Sequence, residues 1–303
     1  MIRYLAHSEI DFSRWDACIA SAENGLIYGY SWYLNTVTPG WSALVLNNYD
    51  AVMPLPIRSR FTINYIFTPF FVQQLGVFGK GDLSGDNFIQ AIPKQIKLIE
   101  YNFNSRNPIS ANIAEGLKVD SWLTHHLDLT DRYEVLQKGY DRTLRNNLKK
   151  AEEDNLSIQQ NADIKAVITL FREDKGAEIG KWNNADYERL ERLITEGIRR
   201  DSAYVCMALK EGRPVSGAVF VWSNNHYIFL FSGNTSEGRT CGALPFLLDK
   251  FIESHAEQRA TFDFEGSNNE GLARFYKSFG AAEVKYPHLR WNRLPKVLRL
   301  FKG

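Results

Sequence analysis

The clearest pattern in the chain is a change from helical to alternating periodicity in its second half. Residues 133–153, highly charged with Arg142, Arg145 and Lys149 on one face, 163–172 and 184–200 read as helices; in the last, Leu190, Leu193, Ile194 and Ile198 form one apolar stripe. Three strand-like runs then follow at 203–209, 215–222 and 226–232. Turn signals separate them, Lys210-Glu211-Gly212-Arg213 and then Ser223-Asn224-Asn225, which predicts an antiparallel meander. A loop at 233–240 leads to a helix over Ala243–His255 and a strand over 261–265. An Asn-rich turn, Gly266-Ser267-Asn268-Asn269, opens a last helix at 271–278. In the first half, 41–47 and 51–57 flank Asn48-Tyr49-Asp50 as a hairpin, with Pro54 and Pro56 pointing to an edge or a bulge. Residues 62–67 and 122–129 read as strands, and 86–102 as a helix through Phe88, Ile89, Ile92, Ile96 and Ile99, with Asp86 as N-cap and Pro93 as a kink. The expected class is mixed α/β with mainly hairpin-linked strands.

Length and charge narrow the class of protein. A chain of 303 residues exceeds the size at which one core stops growing, so two domains are expected, 1–130 and 131–303. Lys and Arg number 36 against 35 Asp and Glu, so no net field draws the chain to DNA or another polyanion. Cys18, Cys206 and Cys241 form neither a disulfide framework nor a metal-ligand spacing, which fits a reducing, cytoplasmic setting. No apolar run reaches the roughly 18 residues of a spanning helix. The run 290–302 alternates basic and apolar residues in a way that suits either peripheral membrane contact or packing on the body.

Candidate chemistry concentrates around the last strand. A strand passing through an Asn-rich turn into a helix can present one phenol, Tyr276, at the strand's open end, where it would act as an acid. Lys277 is placed to stabilise negative charge or to lie on a solvated helix face. Asp263 and Glu265 alternate with Phe262 and Phe264; Glu265 is the candidate base, with solvent exposure as the alternative. Upstream, the loop with Arg239, Thr240, Cys241, Gly242 and Ala243 would expose backbone N–H groups at a helix start, a ready anion site. Asn269 reads as a cap and as a donor contact. Arg142 and Arg145 share a helix face suited to a phosphate-bearing acceptor or tRNA, although nearby acidic residues also fit a solvated face. His125, His126 and His226 have no partner at metal-ligand spacing, so no metal is expected.

Arg239-x-x-Gly242 before a helix and strand, then Asn269-x-x-Leu272-x-x-Phe275-Tyr276-x-x-x-Gly280, resembles the cofactor half of GNAT acyltransferases. In that superfamily the loop cradles the coenzyme A pyrophosphate, two strands splay around the pantetheine, and a tyrosine at the position of Tyr276 protonates the thiolate. Leu244 and Ala281 stand where the pattern has a small and an aromatic residue. Across the chain, Thr124-His125-His126-Leu127-Asp128-Leu129, the run 143–152, Gln73-Gln74-Leu75-Gly76-Val77-Phe78 and Phe262-Asp263-Phe264-Glu265-Gly266 resemble the FemAB-like or BioF2-like branch. The resemblance implies two tandem GNAT-like domains, each a mixed, mainly antiparallel sheet flanked by helices. It implies transfer from acetyl-CoA or another acyl-CoA to an amine, including small-molecule, saccharide and cell-envelope precursor amines. Fem-type enzymes instead use aminoacyl-tRNA on a peptidoglycan precursor and carry lysine where this chain has Tyr276, with Lys277 one residue later. A GNAT scaffold that binds a ligand without catalysis is the third reading.

Overall fold

A computed structural model describes residues 1–81, 83–110, 112–174, 182–266 and 268–295. The chain divides into two compact units, Met1–Leu123 with Val284–Gly303, and Thr124–Glu283. The C-terminal segment therefore returns to the first unit, and the first crossing lies at Thr124, not after Thr130.

In the first unit, strands β1 (Ile2–Leu5), β2 (Ser42–Leu46), β3 (Ala51–Leu55) and β6 (Phe78–Gly79) form a sheet in the order β1-β2-β3-β6. The hairpin expected at Asn48-Tyr49-Asp50 is present, pairing Leu46 with Ala51 and Ser42 with Leu55. On its other side β3 pairs with β6 only through Ala51 and Val52, so Pro54 sits where its missing N–H costs no ladder bond. Helices α1 (Phe12–Ser21) and α2 (Ser31–Val37) contribute buried Trp15, Tyr33 and Leu34 to the core. The Trp15 ring lies 4.6 Å from that of Trp41, and its Nε1 donates to the Gly29 carbonyl.

The helix expected over 86–102 is short. α3 covers only Asp86–Ala91, and Ile96–Asn102 is strand β7. Pro93 supplies no N–H and disfavours helix at Ile92, so Ile96 and Ile99 reach the core from a strand. β7 pairs in parallel with β5 (Ile63–Phe67), which hairpins with β4 (Ile57–Arg60), and antiparallel with β14 (Ala282–Asn292). The segment Gln73–Phe78 is mostly irregular and buried, and side-chain amides replace the missing ladder. Asn107 accepts from Val77 N and donates to Val77 O, and Asn102 donates to Gln73 O. Arg290 pairs with Asp120, and Arg293 stacks over Trp291, so the start of the basic-apolar C-terminal run packs on its own unit. Its remainder from residue 296, like Ser267, lies outside the described residues.

In the second unit the strand order is β8-β13-β12-β11-β10-β9. These are the end of β8 (Leu117–Asp128), then β13 (Thr261–Asp263), β12 (His226–Asn234), β11 (Arg213–Ser223), β10 (Ala203–Lys210) and β9 (Ser157–Gln160). The meander is antiparallel as expected, while β12 and β13 are parallel, joined by a helical crossover. The charged stretch 133–153 is broken into α4 (Tyr133–Leu136) and α5 (Arg142–Glu153). A Cβ on Gly139 would lie 3.4 Å from the Gly280 Cα, and Asp141 caps α5 through Leu144 N. α6 (Ile164–Asp174) and α7 (Asn184–Arg199) follow, with α6 packed on β11 and β12. A one-turn helix α8 (Ser236–Thr240) occupies the expected loop, then come α9 (Ala243–His255) and α10 (Glu270–Lys277). The core joins Phe220, Phe229, Phe251, Phe262, Phe264 and Phe279 between the sheet and α9.

Candidate acyl-transfer site

The site is set by how β12 and β13 part. Their parallel pairing runs His226–Thr261, Tyr227–Phe262 and Ile228–Asp263 and ends there, while β12 continues to Asn234. Just beyond that point β12 bulges: Phe229 faces Phe220 and Phe231 faces Val219, leaving Leu230 as the extra residue. A bulge bends its strand and sharpens the local twist. The ladder to β12 has ended by then, and the segment after β13 pairs elsewhere, Phe264 N donating to His125 O. The result is a fork in the sheet. Phe231 lies on one face against Phe171 and Trp182, with centroids at 4.6 and 5.9 Å, while Phe264 and Tyr276 lie on the α9 face.

Tyr276 is buried at the fork, its ring 5.3 Å from Phe264 and 5.7 Å from His125. Burial pushes its phenol well above the ordinary value, with Glu265 and then Asp263 adding negative charge. The group is a proton-bearing donor at neutral pH. Glu265 has φ of 60°, a left-handed conformation that costs a non-glycine residue energy. Asp263 Oδ1 accepts from its backbone N at 2.8 Å and holds that turn. The imidazole of His125 is fully buried, neither ring nitrogen has a hydrogen-bond partner among the described residues, and burial lowers its pKa, so it is a neutral ring beside the phenol. Lys277 is turned to Glu283 at 2.6 Å. Asn269 caps α10, its Oδ1 accepting from Gly271 N and Leu272 N.

The loop residues have local partners of their own. Arg239 forms an ion pair with Asp174 at 2.5 Å. Thr240 Oγ1 donates to Ser236 O, and Ala243 is buried. Cys241 is buried with its thiol against Gly238 O; burial raises its pKa despite the adjacent helix start, so it is no activated nucleophile. Gly242 caps α9 at φ of 72°, and a Cβ there would lie 2.5 Å from the carbonyl oxygen of Asn147 in α5. Glycine is thus needed for the close approach of α5 as well as for the turn. Gly242→Ala is expected to cost about 1–3 kcal/mol in backbone strain alone, measured by urea unfolding; a loss under about 0.5 kcal/mol would contradict this packing. Arg145 lines a cavity of about 620 Å³ between α5 and α9, beside Tyr133, Tyr140 and Asp249, whereas Arg142 is not among its lining residues.

The structure also brings together residues that sequence spacing kept apart. Asp263 is buried, not solvated, and its Oδ2 lies 3.2 Å from His126 Nε2 and 3.3 Å from His226 Nε2. Sheet register is the reason: Asp263 is the partner of His126 across one ladder, and β12 begins at His226 on the other side. The signal in the sequence was alternation, which puts Asp263 on the face opposite Phe262, combined with strand order that only the fold supplies.

Residues 138–278 match the family model of an acetyltransferase (GNAT) domain. No curated protein sequence matches the chain. Among solved structures, FemX aligns with a TM-score of 0.67 at 13% identity, covering 99% of each chain. A conserved protein of Bacteroides thetaiotaomicron aligns at 0.59 and 11% identity, over 96% of this chain and 100% of its own. A tandem GNAT protein from the clavulanic acid biosynthesis pathway aligns at 0.53 and 11%, over 98% and 100%. At these identities the likeness is one of fold, and it extends over the whole length of the GNAT protein's chain. No helix among the described residues is long and apolar enough to cross a membrane.

Proposed function

We propose that the protein transfers an acyl group from an acyl-CoA to an amine at the fork between β12 and β13. The observation that carries this reading is the fork itself: a parallel ladder that stops at Ile228 and Asp263, followed at once by the bulge at Leu230. An extended pantetheine fits between strands that have parted, and backbone N–H groups of β12 supply donors for the thioester carbonyl. The amine nitrogen forms its bond to the carbonyl carbon and loses a proton to Glu265. As the carbon–sulfur bond breaks, Tyr276 hydrogen-bonds the departing sulfur. Its raised pKa favours donation over full proton loss, because a thiol ordinarily titrates near 8.5. The loop 239–243 and Asn269 are assigned to the donor's pyrophosphate arm, and Lys277 to the charge near Tyr276. Arg142 and Arg145 are assigned to the acceptor, a saccharide or envelope-precursor amine in this reading.

One observation favours a second donor. Arg239 is engaged by Asp174, and the space beside Gly242 is taken by the Asn147 carbonyl. Both leave less freedom for a pyrophosphate and suit the Fem-like reading, in which aminoacyl-tRNA is the donor and the basic face of α5 meets it. Mass spectrometry of amine panels incubated with acetyl-CoA or with charged tRNA separates the two. Acetylated product without tRNA supports the first reading. Product only with charged tRNA, in a reaction that weakens steeply with salt, overturns it.

A further inference from the structure

We propose that His126, His226 and Asp263 form a binding site for a divalent first-row transition metal ion, with zinc the best match. Their three ligand atoms all lie within 4.8 Å of one another. The two edges to Asp263 Oδ2 measure 3.2 and 3.3 Å. A tetrahedral ion with ligand bonds of about 2.0 Å has edges of about 3.3 Å, which both edges to Asp263 match; a bound ion would draw the two histidine nitrogens, at most 4.8 Å apart, to the same spacing.

Direction matters as much as distance. His126 Nε2 has no hydrogen-bond partner even though Asp263 Oδ2 is 3.2 Å away. His226 Nε2 hydrogen-bonds the same oxygen at 3.3 Å, so both rings turn Nε2 toward Asp263 Oδ2, where an ion would displace the shared proton. The carboxylate is also fixed from behind. Asp263 Oδ1 accepts from Thr124 Oγ1 at 2.5 Å and from Glu265 N at 2.8 Å, so Oδ2 is the oxygen turned to the two histidines. Such outer partners orient metal ligands. Two imidazoles and one carboxylate leave a coordination position open, the donor set of hydrolytic zinc and of facial-triad sites. The histidine side chains are 20% and 15% exposed against 3% for Asp263, so the rings border solvent while His126 Nε2 itself is buried.

The site lies on the sheet face opposite Phe262, and its carboxylate ends β13 where the fork opens. It stands whether or not the acyl-transfer reading does, because its test is metal binding and not turnover. The full chain, stripped with chelator, is titrated with Co²⁺ and followed by visible absorption, with Zn²⁺ as competitor and metal content counted per chain. One Co²⁺ per chain, with the intense bands of a four-coordinate site and displaced by Zn²⁺, is expected. His226→Ala and His126→Asn should each weaken binding at least about tenfold with the near-ultraviolet circular dichroism retained. Thr124→Val, which removes only the outer hydrogen bond, should weaken it about 10- to 100-fold. Absence of Co²⁺ and Zn²⁺ binding by the wild-type chain overturns the site, as does binding undiminished in His226→Ala. Should a histidine variant misfold, the wild-type spectrum decides alone: weak octahedral bands overturn the proposal.

Discussion

Tyr276→Phe is expected to lower the turnover of acyl transfer about 10²- to 10³-fold while leaving donor affinity nearly unchanged. The substitution deletes one oxygen and keeps the ring, so the contacts with Phe264 and His125 at 5.3 and 5.7 Å persist. What is lost is a donor made useful by its surroundings. Burial and the charges of Glu265 and Asp263 keep the phenol protonated, so it meets a developing thiolate as a fixed dipole in a site with little water. The effect belongs in kcat because the sulfur carries charge only as the bond breaks. Calorimetry with acetyl-CoA reads the affinity, and product formation reads the rate. A variant with wild-type turnover removes Tyr276 from the mechanism.

Phe262→Ala is expected to destabilise the second unit by about 3–5 kcal/mol. Phe262 is completely buried on β13, the short strand between β8 and β12. Its ring lies 4.5 Å from Phe264, 5.2 Å from Phe251 and 6.0 Å from Phe220. Truncation opens a cavity among aromatic rings whose backbones are held on both sides by ladders, so the site collapses poorly. The contrasting variant is Leu272→Ala on α10, 48% exposed, expected within about 0.5 kcal/mol of the parent. Denaturant midpoints for the two proteins provide the comparison. A loss under about 1 kcal/mol at Phe262 would mean that β13 is not packed in this core.

Periodicity made the second unit readable where local and tertiary preferences agree. The meander, α7 and α9 follow directly from stripe and turn chemistry, and α9 matches residue for residue. It failed where a proline or an irregular segment overrode an apolar spacing. Ile96 and Ile99 fit a helical stripe, yet beyond Pro93 they belong to strand β7, in which both are buried. The long helix over 133–153 broke at Tyr140, which is extended, and restarts at Asp141, whose side chain caps α5 through Leu144 N. Tyr276 is the one phenol on the helix after the Asn-rich turn, and its burial beside Phe264 came only with the fold. The bulge at Leu230 was not legible, since nothing in Phe229-Leu230-Phe231 distinguishes a bulged strand from a regular one. Asp263 with His126 and His226 was also hidden. The last two residues are brought to the carboxylate by pairing across two ladders, and a separation of 37 residues between His226 and Asp263 carries no motif.

The central claim is that the fork between β12 and β13 holds an acyl thioester. Its most direct test is a crystal structure of the full chain with an unreactive acyl-CoA thioether. The predicted result is a pantetheine arm running between residues 229–232 and 264–266, with the sulfur within about 3.5 Å of the Tyr276 hydroxyl. A ligand bound elsewhere, with side chains filling the gap beyond Ile228 and Asp263, would contradict the account.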